Sequence, residues 1–236
     1  MTAVLTFVFF WISAVITKFF LDYKTDQIVK KNPDSSARHY VDLPEQQKWS
    51  CVQCYQATLM AGLTVVLCFM AACQCTPPED MSRPDVVLGN TFFRNAYCRE
   101  HMNYEQIRLF AAFIGYMIYD LSLLMSLMDN YLQLGSSEFE QFVHHLFCIY
   151  GSGVALICGR FLGVLMSASL LTEISTPNVN AWFLLSVHQM TSSKLYTYNA
   201  YSMFATFFFG RIVYQFYLIA WLLVPGVVAV DLTRDS

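Results

Sequence analysis

The stretch FVHHLFCIYGSGVALIC, Phe142–Cys158, decides how the chain is read. It holds no Asp, Glu, Lys or Arg, and its only basic interruption is a pair of adjacent histidines near its head. A helix on a soluble surface carries a polar stripe, and one that is apolar nearly all round belongs in a large core or in a bilayer. Imidazoles are costly in hydrocarbon, so His144 and His145 should face protein or a watery cavity. Titratable groups placed there are functional candidates.

Working outward, Gly159-Arg160 breaks the pattern, and apolar residues resume to Thr172. One crossing needs roughly 20 residues for about 30 Å of hydrocarbon. The run from Phe142 to Thr172 is too long for one crossing and short for two, which predicts two tightly linked helices, the second over Phe161–Leu171. Earlier apolar runs predict spans over Ala3–Leu21, Gln53–Cys73 and Ile107–Met128, and a last one over Ser202–Val230, kinked or ended at Pro225-Gly226. Asn180–Tyr201 is apolar at Trp182–Val187 and then polar through Ser192, Ser193 and Lys194. It is either a short interfacial helix or part of a sixth or seventh crossing. The expected fold is an all-α polytopic transmembrane bundle of about six spans. Its expected parts are a first helix and polar loop (1–48), a transmembrane domain (49–230) and a short polar tail (231–236).

Composition agrees, with 56% hydrophobic and 13% charged residues, where a soluble domain carries about a quarter charged. The net charge of -3, without a basic block, excludes a nucleic-acid partner. The first segment lacks a basic leader region and a small-residue cleavage site, and is read as a retained helix. Lys24, Lys30, Lys31, Arg38 and Lys48 in the first loop nearly balance Arg83, Arg94 and Arg99 in the second, a slight bias toward a cytosolic first loop.

Cys51/Cys54 and Cys73/Cys75 resemble half of a zinc ribbon. Cys51 and Cys73 flank a predicted helix, however, and lie about 33 Å apart at 1.5 Å per residue. No metal is expected; Cys68, Cys98, Cys148 and Cys158 are read as packing residues. Gly159, Gly163 and Ser167 form a small-residue face for close helix packing. His39, His101 and His188 are read as isolated and solvated.

Asp120 shares a helical face with Phe113, Tyr116, Leu124 and Leu127, so a carboxylate and a phenol point from one apolar surface. Glu173 ends a short helix just before Pro177 turns the chain. Arg160 and Arg211 supply the opposite sign, and pairing would offset desolvation; Arg211 could instead snorkel to an interface.

Four strings in order resemble the TLC domain: Gly115-Tyr116-Met117-Ile118-Tyr119-Asp120-Leu121, Val143-His144-His145, Leu171-Thr172-Glu173-Ile174-Ser175-Thr176-Pro177 and Phe208-Phe209-Gly210-Arg211-Ile212. That domain is shared by ceramide synthases, translocating-chain-associating membrane proteins and several small lipid-related membrane proteins. The resemblance covers roughly Trp49 to Val230 and is closer to the small proteins. Where the synthases carry a His-Asp-x-x-Asp-like motif, this chain has Thr172, Glu173 and Thr176, keeping one acid only. The arginine usual after the Ser-Thr-Pro turn of the small proteins is replaced near Ala181.

The resemblance implies a lipid-binding, lipid-sensing or lipid-trafficking membrane protein of the endoplasmic reticulum. Membrane lipids are the expected partners, with Tyr116, Asp120, Arg160 and Arg211 as lipid-binding residues and no cofactor. Two alternatives stand beside it. A non-catalytic accessory subunit would meet other membrane subunits, in an organelle inner membrane for example. A lipid acyltransferase would use acyl-coenzyme A, with His144 or His145 as base or nucleophile and Glu173 or Asp120 as the orienting acid. The same groups could also serve only as buried polar links between helices.

Overall fold

The computed structural model describes residues 1–74, 102–127 and 136–222, with the side chains of Cys73, Ser136, Ser137, Glu138, Arg160, Phe161, Trp221 and Leu222 outside the description. Among these residues every element is helical. Helix α1 spans Thr2–Lys31, α2 Ala37–Val41, α3 Glu45–Gln74, α4 Tyr104–Leu127, α5 Ser136–Cys158 and α6 Arg160–Leu170. A 3-10 segment, Leu171–Ser175, joins α6 to α7, Thr176–Val187. Helix α8, Lys194–Phe207, runs through a π-helical segment, Phe208–Val213, into α9, Tyr214–Leu222.

Five helical runs in the described residues are long and apolar enough to cross a membrane: Thr2–Lys31, Glu45–Ala72, Tyr104–Leu127, Phe139–Cys158 and Lys194–Ala220. The sixth rod is composite, with α6, the 3-10 segment and α7 following one another without a gap. Gly159 makes the predicted break, with a φ of 57° that favours glycine. Pro177 does not turn the chain away. It sits in the first turn of α7, where its missing N–H is one that no helix bond needs. Asn180–Val187 thus completes the composite rod, and the last rod starts at Lys194 rather than Ser202. Ser193 caps it, its Oγ accepting from Tyr196 N at 3.1 Å. Pro225-Gly226, the tail, Met128, Arg83, Arg94, Arg99, Cys75, Cys98 and His101 lie outside the described residues.

The rods alternate in direction, and polar ties mark both ends. Gln46 Nε2 donates to the Leu127 carbonyl at 3.0 Å, joining the start of α3 to the end of α4. At the opposite end Asn103 Nδ2 donates to the Ala71 carbonyl at 2.9 Å. Asn103 and Gln106 also exchange backbone and side-chain bonds of 2.9 Å, a capping box that starts α4. His188, read as solvated, instead stacks on Tyr40 at 6.3 Å and brings the end of α7 to the first-loop end.

Helix α4 is the centre, with 61% of its apolar window buried against 6% for the last rod. It packs on α1, α3 and α5, and α3 packs on α7, which packs on α8. Gly115 permits the first contact: a Cβ there would lie 2.2 Å from the Ala3 carbonyl oxygen. Phe10 fits edge-on to Tyr116 at 4.9 Å and stacks on Tyr119 at 5.7 Å. Lipid tails are as apolar as these rings, so shape and dispersion rather than burial hold the rods together. Of the small-residue face, Gly163 lies against Met102, whose Cγ a Cβ there would approach to 3.6 Å, and Ser167 is buried with Oγ donating to the Gly163 carbonyl at 2.7 Å. Gly159 serves the break instead.

The order α5–α4–α3–α7–α8 is an open arc whose end members share no extended contact. Val164 and Ala168 of α6 pack with Leu218 of α9, so the arc is closed at the end away from the first loop. Elsewhere, among the described residues, α5 and α8 share no extended contact.

Candidate functional site

Inside the arc lies a cavity of about 730 Å³. On α3 its lining runs from Gln46 to Thr64, about 27 Å at 1.5 Å per residue. Its rim at the first-loop end is polar, with Gln46, Ser50, Gln53 and Gln141. The walls beyond are Ala57, Met60, Met117, Val179 and Phe183. Phe113, Tyr116, Asp120, Leu124 and Leu127, the predicted face of α4, all line it.

Asp120 and His145 meet about 10 Å in from the Leu127 end of α4. His145 Nε2 lies 2.6 Å from Asp120 Oδ2, and His145 Nδ1 lies 2.5 Å from the Gln141 carbonyl. Both residues are buried. A carbonyl can only accept, so Nδ1 carries a hydrogen. The second contact then holds one further proton, on the ring or on the acid. Either way the pair is neutral, as an imidazolium with a carboxylate or an imidazole with a carboxylic acid. Neutrality is what a buried pair in a bilayer requires. Both ring nitrogens of His145 are therefore committed, and Asp120 Oδ1 is buried without a hydrogen-bond partner among the described residues.

His144 differs. It is exposed at the cavity, its Nε2 3.5 Å from Cys148 Sγ one turn along α5. Nδ1 makes no hydrogen bond among the described residues.

Deeper, about 25 Å from the start of the last rod, Arg211 projects from the π-helical segment. Its Nε donates to Ser175 Oγ at 2.8 Å and its Nη2 to Thr176 Oγ1 at 3.2 Å. Thr176 Oγ1 donates in turn to Glu173 Oε2 at 2.6 Å. Arg211 also lies over the Phe207 ring, at 5.4 Å. It does not snorkel to an interface; two hydroxyls hold it. A wide turn of this kind is frequent at functional sites because it re-aims a side chain without ending the helix.

The fold thus brings Tyr116, Asp120, His144, His145, Glu173 and Arg211 to one cavity. Arg160 opens α6, and its side chain lies outside the described residues. The expected partnerships change in detail. Of the two acids expected beside the histidines, Asp120 meets His145, whereas Glu173 reaches Arg211 through Thr176 rather than a histidine. Sequence reasoning missed Gln141, Ser175, Thr176 and Asn180. Asn180 Nδ2 donates to the Cys54 carbonyl and to Thr58 Oγ1, both at 3.0 Å, tying α7 to α3 across the cavity wall. The available signal was spacing: Gln141 is four residues before His145, and Thr176 three after Glu173. Among the described residues no three His, Cys, Asp or Glu side chains gather as a metal site needs.

The family model described as TLC domain matches residues 45–227. No curated protein and no solved structure matches the chain.

Proposed function

The chain belongs to the TLC-domain family and is a multi-pass membrane protein, and from that premise we propose that it binds a lipid inside its helical arc, in lipid sensing or trafficking. The observation that carries this is the cavity. Its volume of about 730 Å³ falls within the roughly 300–1,000 Å³ of small-molecule sites. It has apolar walls and a few convergent polar groups, and the two end helices of the arc beside it, α5 and α8, share no extended contact among the described residues. A chain could slide in sideways without crossing a polar surface. Tyr116, Asp120 and Arg211 are the lipid-contacting candidates. The same reading carries residence in the endoplasmic reticulum, which imaging of the tagged protein against organelle markers tests.

Lipid mass spectrometry on the gently purified protein tests the binding. A defined lipid should co-purify, and Ala57→Trp, which fills the wall, should cut its amount about tenfold, the effect of ~1.4 kcal/mol. Equal lipid in both preparations, or none in either, removes the reading.

One observation favours a second reading, acyl transfer from acyl-coenzyme A. His144 keeps a ring nitrogen open to the cavity, as a general base or nucleophile must. His145, held at both nitrogens, would then only position its neighbour. His144→Ala should abolish lipid product in a protein that still inserts. Turnover unchanged in that variant discards the enzyme reading.

A further inference from the structure

The floor of the cavity presents a donor and an acceptor side by side. A guanidinium cannot accept, and a hydroxyl has one hydrogen, so the Thr176 contacts have a fixed direction: Arg211 donates to Thr176, and Thr176 donates to Glu173. Ser175 takes the Nε hydrogen of Arg211. Nη1 of Arg211 and Oε1 of Glu173 make no hydrogen bond among the described residues. Both residues line the cavity, and a single hydroxyl spans the space between them.

The charges on this floor decide what it can hold. Counting Glu173 as carboxylate and Arg211 as guanidinium, the floor sums to zero, and the Asp120–His145 pair is neutral on its own. A ligand bringing one further charge to this depth would leave it uncompensated where that is most costly. An uncharged group avoids this cost, provided it offers an acceptor to Nη1 and a donor to Oε1.

Resting on the lipid-binding reading, we propose that Arg211 and Glu173 select a single-chain amphiphile whose headgroup is uncharged and both accepts and donates hydrogen bonds, as a primary amide does. The carbonyl oxygen of such a group accepts from Nη1, and its N–H donates to Oε1. The chain lies along the apolar walls toward the rim or out between α5 and α8.

Three probes with one shared C18 chain separate the possibilities: oleamide, oleate and oleylamine, each competed at neutral pH against a fluorescent fatty-chain lipid on the full chain in nanodiscs. The wild-type protein should bind oleamide about tenfold more tightly than either charged probe. Glu173→Gln leaves a net positive floor and should move the preference to oleate; Arg211→Gln leaves a net negative floor and should move it to oleylamine. A wild-type preference for oleate or oleylamine, equal binding of all three, or an order unmoved by both substitutions overturns the assignment. Should a variant fail to insert, the wild-type order decides alone. If no probe binds, the lipid-binding reading falls with it; binding without the stated order overturns only the headgroup assignment.

Discussion

Asp120 and His145 are a buried pair in which each member makes the other tolerable. Removing one partner leaves an uncompensated polar group, which costs about 3–5 kcal/mol in a buried site, whereas replacing both with apolar residues of similar volume is near neutral. Asp120→Leu and His145→Phe should each lower unfolding free energy, measured by denaturing-detergent titration, by about 3 kcal/mol, and the double variant should recover most of that loss. Additive losses would show that the 2.6 Å contact contributes nothing to stability. The candidates themselves were legible, because a carboxylate among Phe113, Tyr116, Leu124 and Leu127 has few explanations in a membrane helix. Which acid meets which histidine was not. Asp120 and His145 come from different rods, and only the packing of α4 on α5 sets which cation reaches which acid.

Among the elements, Gly115 sets the distance between α1 and α4. Any Cβ there collides with the backbone of Ala3, which cannot rotate away as a side chain would. Gly115→Val should separate the two helices, with a loss of about 1–3 kcal/mol typical of overpacking. Spin labels on the exposed faces of α1 and α4 would register it as a longer interhelix distance. Helix α2 is held more lightly. Tyr40 donates to Asp22 Oδ1 at 3.1 Å and is buried, and burial first, then the adjacent carboxylate, pushes its phenol well above the ordinary 10.0. Because the folded value exceeds the unfolded one, the stabilisation is complete below pH 10 and is lost as the unfolded phenol begins to ionise above it. Protection factors of the α2 amides, corrected for base-catalysed intrinsic exchange, should therefore fall above pH 10, and Tyr40→Phe should remove that fall. Most rods could be found by length and hydropathy alone, and so could the break at Gly159. The polar run Ser192, Ser193 and Lys194 masks the start of the last rod; in the structure Ser193 caps it, and Asn199 Nδ2 donates to the Asn178 carbonyl at 2.9 Å, which lets a polar turn continue as helix. Pro177 was misread as a stop because a proline that opens one helix can follow directly on another.

At the scale of the whole molecule, the arc has a firm side and a loose side. Helix α4 anchors three neighbours, whereas the last rod buries 6% of its window and meets the bundle mainly through α7 and the 3-10 segment. The link to α7 is polar. Asn178 Nδ2 donates to Thr206 Oγ1 at 3.1 Å, and its Oδ1 accepts from Ser202 Oγ at 3.2 Å. Interhelical bonds in membranes average ~0.6 kcal/mol, so Asn178→Ala should weaken the attachment by about 1 kcal/mol. Spin labels on α5 and α8 should report a broader distance distribution in that variant, while the α1–α4 distance stays as in the wild type.

That loose attachment gives Asn178 the character of a hinge pin. The rod it holds also carries Arg211, so a swing of the last rod would carry α8 away from α5 and draw the guanidinium off Ser175 and Thr176 in a single motion. Opening the door and releasing the catch would then be one event, and a guest could leave only as its grip is undone.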